Sequence, residues 1–426
     1  MAQDVFWEGK GYLVVEVKGF RIACFAALLL AASWGGAAQN AGLGQGASGH
    51  GASPQGGVSK ALALERLGKI PEAIAAWESV VKAEPRNAQA YAHLGLLEAR
   101  EERYAEAIAH YRKAQGLNPG IPQLNLNLGL ALFKSGKFAE SAKIFEAELR
   151  KHPKDTETQR LTILAGMSHY GAHEYGAAIP YLKEAAEADP KNLPLRLDLA
   201  HCYLWTKQLD ATMAVYKEIL LIDPDSAAAD MIAGEALDEK GDNAGAVQQF
   251  QAAVKANPKE PNVHFGLAYL LWAQKRYDEA IPEFEAELAN DPKNYQAMIY
   301  LGDTYVKQNQ FDKARPILEE AVKYQGAVPL VHLDLGIVYM ETGGQEAAIR
   351  ELNKTVALEP DNVAAHFRLA NVYRSMGKKD KAKAEFAKAS SLNKKTDEGL
   401  YKRIQEANAR SEPEGGEAGA KPKQEK

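Results

Sequence analysis

The stretch GIPQLNLNLGLALFKSGKFAESAKIFEAELRKHP, residues 120–153, decides the fold. It is one period of a pattern that recurs about ten times between Gly57 and Leu392. Each period closes on a proline: Pro85, Pro119, Pro153, Pro190, Pro224, Pro258, Pro292 and Pro360, spaced by 34 residues or twice that, apart from 37 between Pro153 and Pro190. In the quoted unit Leu128, Gly129 and Leu132 fall at helical spacing, Ser135-Gly136-Lys137 breaks the run, and a second apolar run carries Ser141 and Phe145. The small side chain of that second run recurs as Ala73, Ala107, Ala178, Thr212, Ala246, Ala280 and Ala348. Four residues later stands a bulky apolar one: Trp77, Tyr111, Leu182, Tyr216, Phe250, Phe284 and Leu352. Proline removes a donor and restricts the residue before it, so it stops the second helix of each pair. The spacing therefore predicts two helices per unit, whose small residues let the axes approach while the bulky residue fills the gap to the next unit. No β-alternation competes, and the class is all-α.

This pattern resembles the tetratricopeptide repeat family, on the small, bulky and proline positions just quoted. The resemblance implies a right-handed superhelical solenoid of about ten helix-turn-helix repeats over residues 59–394, with a C-terminal capping helix over 395–410. Leu400, Ile404 and Ala407 would give that last helix one apolar side to cover the final repeat. The chain departs from the family early in the first helix of each repeat. Tyr91 keeps the frequent aromatic there, while Asn125, Thr162, Arg196, Asp230 and Met298 do not, and His264, His332 and His366 occupy the slot. Gly326 and Lys394 replace the closing proline in two repeats, yet Ala314 and Ala382 keep the small residue.

A net charge of −5 and a pI near 6.1 argue against a general nucleic-acid binder. Of the two cysteines, Cys24 and Cys202, only the second falls inside the repeats, so no disulfide framework is expected. Lys18 and Arg21 precede the apolar run Ile22 to Trp34 and the small residues Gly35, Gly36, Ala37 and Ala38. That order reads as a secretory signal over residues 1–38, with translation starting at Val17 and cleavage after Ala38. The apolar run is short of the roughly 20 residues of a membrane span, so membrane contact is expected only through this segment if it stays uncleaved. Residues 39–58 read as a flexible Gly/Ser-rich linker and residues 411–426 as a disordered tail. The expected location is periplasmic or secreted, in a bacterial cell envelope.

No Gly-rich phosphate loop, nucleophile elbow or paired-cysteine motif occurs. The nearest approach to a metal site is His169-x-x-x-His173-Glu174, but His169 falls on a packing slot shared with Leu132, Tyr203 and Leu237. No catalytic residue, metal or cofactor is expected, and the chain reads as non-enzymatic. The family resemblance implies an inner surface lined by first-helix positions spaced 3, 4 and 3 residues apart. On this chain those positions give Leu126, Leu130 and Phe133; Ile163, Met167 and Tyr170; Leu197, His201 and Leu204 with Trp205; and Phe265, Tyr269 and Trp272. Such an apolar, aromatic stripe reads as the binding site for a protein or peptide partner. Glu235, Asp238, Asp303 and Asp334 follow on the same face and would suit a basic stretch in the partner. The Lys and Asn pairing with which some family members grip a C-terminal carboxylate is missing; Asn371 with Arg368 and Arg374 is a partial echo. Two alternatives stay open: a self-assembling structural protein, and an accessory subunit of an envelope enzyme complex. The oligomeric state is left open as well.

Overall fold

The computed structural model describes residues 54–151, 157–324 and 328–411, with side chains over residues 56–395 of those. The signal segment, the linker up to residue 53 and the tail from residue 412 lie outside the described residues. Among the described residues there are twenty helices and no strand, and the architecture is an all-α repeat solenoid. The helices fall into two compact units, one ending at Pro261 and the other beginning at Asn262.

The first unit holds six helix pairs: α1 (Pro54–Arg66) and α2 (Ile70–Ala83), α3 (Ala88–Arg100) and α4 (Tyr104–Leu117), α5 (Leu124–Lys134) and α6 (Phe138–Leu149), α7 (Thr158–Gly171) and α8 (Tyr175–Ala188), α9 (Leu193–Trp205) and α10 (Leu209–Leu220), α11 (Ala227–Glu239) and α12 (Asn243–Ala256). The second holds four: α13 (Val263–Ala273) and α14 (Tyr277–Asn290), α15 (Tyr295–Lys307) and α16 (Phe311–Tyr324), α17 (Pro329–Glu341) and α18 (Gln345–Leu358), α19 (Val363–Ser375) and α20 (Lys379–Ser411). Two expected boundaries shift. Helix α1 begins at Pro54, inside the stretch read as linker, and α20 runs unbroken through Lys395, so the C-terminal cap is not a separate element.

Within each pair the recurring residues pack as the period requires. The small residues Ala73, Ala107, Ser141, Ala178, Thr212, Ala246, Ala280 and Ala348 are all fully buried. The Ser141 hydroxyl donates to the Gly129 carbonyl at 2.9 Å, so the two helices touch there. A methyl group on Gly129 would lie 2.7 Å from the Phe145 ring, and one on Gly95 2.7 Å from the Tyr111 ring. The bulky residue therefore sits on the glycine of its own repeat, while Phe145 also joins Leu161 and Leu164 of the next one.

Two local devices set the period. Each helix pair turns through one left-handed residue: Gly68, Glu102, Gly136, His173, Lys207, Gly241, Lys275, Asn309, Gly343 and Gly377. After the closing proline, Asn87, Asn192, Asn294 and Asn362 cap the next helix, their side chains accepting from the backbone N–H three residues on. Each such cap contributes about 1 kcal/mol.

First helices of successive repeats also touch one another, as α3–α5 and α9–α11 in the first unit and α13–α15, α15–α17 and α17–α19 in the second. Successive second helices do not meet to the same extent. Each unit therefore bends toward its first-helix side, which makes that side the inner face. No described helix is long and apolar enough to cross a membrane.

Candidate functional site on the inner faces

In the first unit the structure divides the residues of the expected stripe. Leu130, Phe133, Ile163, Met167, Leu197 and Leu204 are buried. These slots carry core rather than open surface, most of them packing in one cluster with Ala178, Leu182 and Ala185 of α8 and Val215 of α10. Phe133, Ile163, Met167, Leu197 and Leu204 belong to one apolar cluster, Leu130 to the next. Leu126, Tyr170, His201 and Trp205 stay partly exposed.

Those exposed rings form a ladder. Trp205 of α9 lies 6.1 Å from Tyr170 of α7 and 5.4 Å from His201, stacked on both, and 4.3 Å from Tyr175 of α8. Asp198, His201, Cys202 and Trp205 stand at helical spacing along one side of α9. Burial pushes the His201 imidazole down to about 4, so this ring is neutral at neutral pH. Burial pushes the Asp198 carboxyl up to about 7, and Asp198 in turn helps to raise the Tyr170 hydroxyl and the Cys202 thiol, each raised first by burial. One repeat on, burial and the neighbouring Asp238 and Glu239 push Glu235 up to about 7.

The second unit uses the same residue types differently. Phe265 is 1% exposed and packs on Phe284 and Tyr300 at 6.1 and 6.0 Å, so it too is core. Trp272 and Tyr269 meet Tyr300 edge-on at 4.8 and 5.2 Å. The Trp272 indole N–H donates to Asp303 Oδ2 at 2.6 Å, and Lys307 Nζ stands 3.5 Å from Asp303 Oδ1. Asp303 and Asp334, both buried, are hydrogen-bonded to each other. Desolvation raises both carboxyls above the usual range, Asp334 further through the Asp303 charge. These two acids, expected to meet a basic partner, are held by internal contacts, although Asp303 Oδ1 and Asp334 Oδ2 are buried without a hydrogen-bond partner. Asn371 is likewise engaged, accepting from Arg374 at 2.8 Å and donating to the Phe367 carbonyl at 3.0 Å.

The histidines are structural. His169 is buried, with Nδ1 2.7 Å from Glu174 and Nε2 2.9 Å from Glu146, which leaves neither nitrogen aimed at an open site. His173 is the left-handed turn residue of its repeat. His264, His332 and His366 each point Nδ1 at a glutamate of the following helix, Glu283, Glu351 and Glu385, at 2.5–2.7 Å. Among the described residues no group of three or more His, Cys, Asp or Glu side chains is arranged to hold a metal ion.

Two features escaped the sequence. Asp198 lies one residue beyond the inner-face position of Leu197, yet it shares the slot of Asp334 four periods later, a signal that was available. On the outer side of the first unit, a groove of about 610 Å³ opens between α8 and α10, lined by Ala186, Leu199, Ala211, Ala214 and Val215. Leu221 at its rim is 88% exposed, where Arg150, Glu187 and Lys255 stand in other repeats.

Comparison with known proteins agrees with this architecture. One tetratricopeptide repeat model matches residues 98–162, 169–234, 271–335 and 339–406, and a second matches 58–122 and 233–295. Peroxisome biogenesis protein 5 of Arabidopsis thaliana is 32% identical over 154 residues, 36% of this chain; the match spans 20% of that relative's length. The crystal structure of YrrB, described as a TPR protein with an unusual peptide-binding site, is 18% identical, with 43% of this chain and 95% of that one covered at a TM-score of 0.39. MamA from Desulfovibrio magneticus RS-1 is 21% identical, covering 41% and 98% at 0.38. The Cut9–Hcn1 hetero-tetramer of the APC/C is 15% identical, covering 73% and 74% at 0.46. With well over half of its residues matched by the first model alone, the chain belongs to the tetratricopeptide repeat family.

Proposed function

We propose that this protein-interaction scaffold captures a peptide segment of a partner protein on the inner face of its first unit. The observation that carries this reading is the partly exposed ring ladder of Tyr170, Tyr175, His201 and Trp205, set on three adjacent helices and backed by buried Leu197 and Leu204. Rings held in place by a rigid core lose little conformational freedom on binding, and aromatic anchors of this kind carry most of the energy of an interface. The inner face of the second unit, whose rings and acids pack against one another, serves chiefly to hold its own repeats together. We further propose that the chain works outside the cytoplasm, in the cell envelope. The basic, apolar, then small-residue order of residues 18–38 supports that location.

A photo-crosslinking amino acid placed at Tyr170 tests the site, against controls at Leu221 on the outer groove and at Tyr269 in the second unit. Capture of a partner from envelope extract at residue 170, and not at 221 or 269, is the expected result. Capture at 269 or 221 alone would move the site. The mass of the mature chain tests the location: export predicts a first residue at Gln39.

A further inference from the structure

We infer that the inner face of the first unit selects a segment carrying a lysine or arginine beside an aromatic or apolar residue, the cation being taken by Asp198 against the Tyr170 and Trp205 rings. This rests on the peptide-binding reading of that face. Asp198 projects from the same side of α9 as Trp205, two turns apart, and lies close enough to Tyr170 to act on its hydroxyl electrostatically. Among the described residues no hydrogen-bond donor or ion-pair partner faces Asp198, although the carboxyl is partly buried. A buried carboxyl without a donor is unfavourable in the free protein and is relieved when a cation arrives. The neighbouring rings are suited to the same guest. An ammonium or guanidinium is attracted to the face of Trp or Tyr, and a methylene stem packs against it. The nearest imidazole does not compete, because His201 is neutral at neutral pH and is hydrogen-bonded to the Leu197 carbonyl.

A second carboxyl repeats the arrangement one first helix on. Glu235 of α11 is partly buried and has no hydrogen-bond partner among the described residues, although the Lys207 ammonium acts on it electrostatically. Its neighbour Glu239 already holds Lys207 at 2.5 Å. Adjacent helices pack about 10 Å apart, and an extended chain advances about 3.3 Å per residue. Asp198 and Glu235 therefore address two side chains about three to four residues apart on a segment crossing from α9 to α11. The acids of the second unit differ in that Asp303 and Asp334 already touch Trp272, Lys307 and each other, although one oxygen of each is buried without a hydrogen-bond partner.

Selection from a random twelve-residue peptide library displayed on phage, run with the full chain and with an Asp198→Asn/Glu235→Gln variant, tests this. The full chain should enrich peptides with Lys or Arg three to four residues apart and next to Phe, Trp or Leu; the variant should enrich the apolar residues alone. The best selected peptide, fluorescein-labelled, should lose about tenfold in affinity for the full chain when its lysine is replaced by norleucine, and lose nothing on the variant. Peptides without basic enrichment, or equal enrichment on both proteins, would overturn the cation preference and leave the peptide site standing. Failure of either protein to enrich any peptide would overturn both. Circular dichroism of the variant guards against a folding defect; neither exchanged group makes a hydrogen bond in the described structure, so its helicity should match the parent.

Discussion

Trp205 in the first unit and Trp272 in the second are both tryptophans near the end of a first helix, one turn beyond another ring (His201 and Tyr269), and the structure uses them in opposite ways. Trp272 gives its indole N–H to Asp303, and Asp303 shares a hydrogen bond with Asp334, so ring and acids close on one another. Trp205 stacks with His201 and Tyr170 and lies tilted against Tyr175, and the acid on its helix, Asp198, is left without a donor. Residue type alone does not decide whether a surface binds; what matters is whether the acids on it are already held by donors from neighbouring repeats, as Asp303 is by Trp272 and Asp198 is not. An acid already held by neighbouring side chains has less to gain from a partner, whereas one without a donor can exchange a desolvation cost for a contact.

Truncation should separate the two tryptophans most sharply. Trp272→Ala removes packing against Tyr269 and Tyr300 and strips Asp303 of its donor, and should destabilise the second unit by about 3 kcal/mol. Trp205→Ala, at a half-open ring, should cost about 1.5 kcal/mol while abolishing partner capture. Hydrogen exchange of amides in each unit, followed across a urea series, reads both. Equal losses would erase the distinction between a structural and a binding ring.

A smaller effect lies in pH. Asp198 and Glu235 are pushed up to about 7 in the folded chain, against about 4 for unfolded carboxyls. Between those values the folded state holds more protons than the unfolded one. The associated stability is present below pH 4 and is lost as pH rises through 7. The thermal midpoint should therefore fall between pH 5 and 8, and Asp198→Asn should reduce that fall by about 3 °C. Calorimetry at the two pH values checks it; an unchanged fall would mean that Asp198 has a donor in solution. The same carboxyl gives binding the opposite slope, since a basic peptide should bind more tightly at pH 8 than at pH 5.

The smallest expected effect concerns the turns, where the two units should behave alike. Gly136→Ala forces a side chain into a left-handed turn with open space around it and should cost about 1 kcal/mol. Lys275→Gly makes the reverse change in the second unit and should be neutral or slightly stabilising. Chemical denaturation of both variants measures this, and a clear loss at Lys275→Gly would show that its side chain does more than turn the chain.

Much of the fold was legible from the period alone. The closing prolines, the small residues and the bulky residues each took their assigned places, because every one answers to a local rule: stop a helix, let two axes approach, fill the space between. The inner face was legible in position and not in exposure. Leu197, Leu204 and Phe265 stand at inner-face slots, yet packing against neighbouring helices covers them. That packing depends on how sharply each unit bends, a property of the whole stack that no single repeat encodes. Asp198 was passed over because it lies between the slots considered, and the engagement of Asp303 was hidden because its partners come from three different helices.

The row of left-handed turn residues has a bearing on how such a chain can change. Glu102, His173, Lys207, Lys275 and Asn309 occupy a conformation that glycine takes at the other five turns. Each is a place where robustness could be adjusted in small, separate steps, far from the side chains that meet a partner. Selection for a hotter or harsher setting could therefore act on the hinges of the repeats while leaving the recognition surface free to drift toward new cargo.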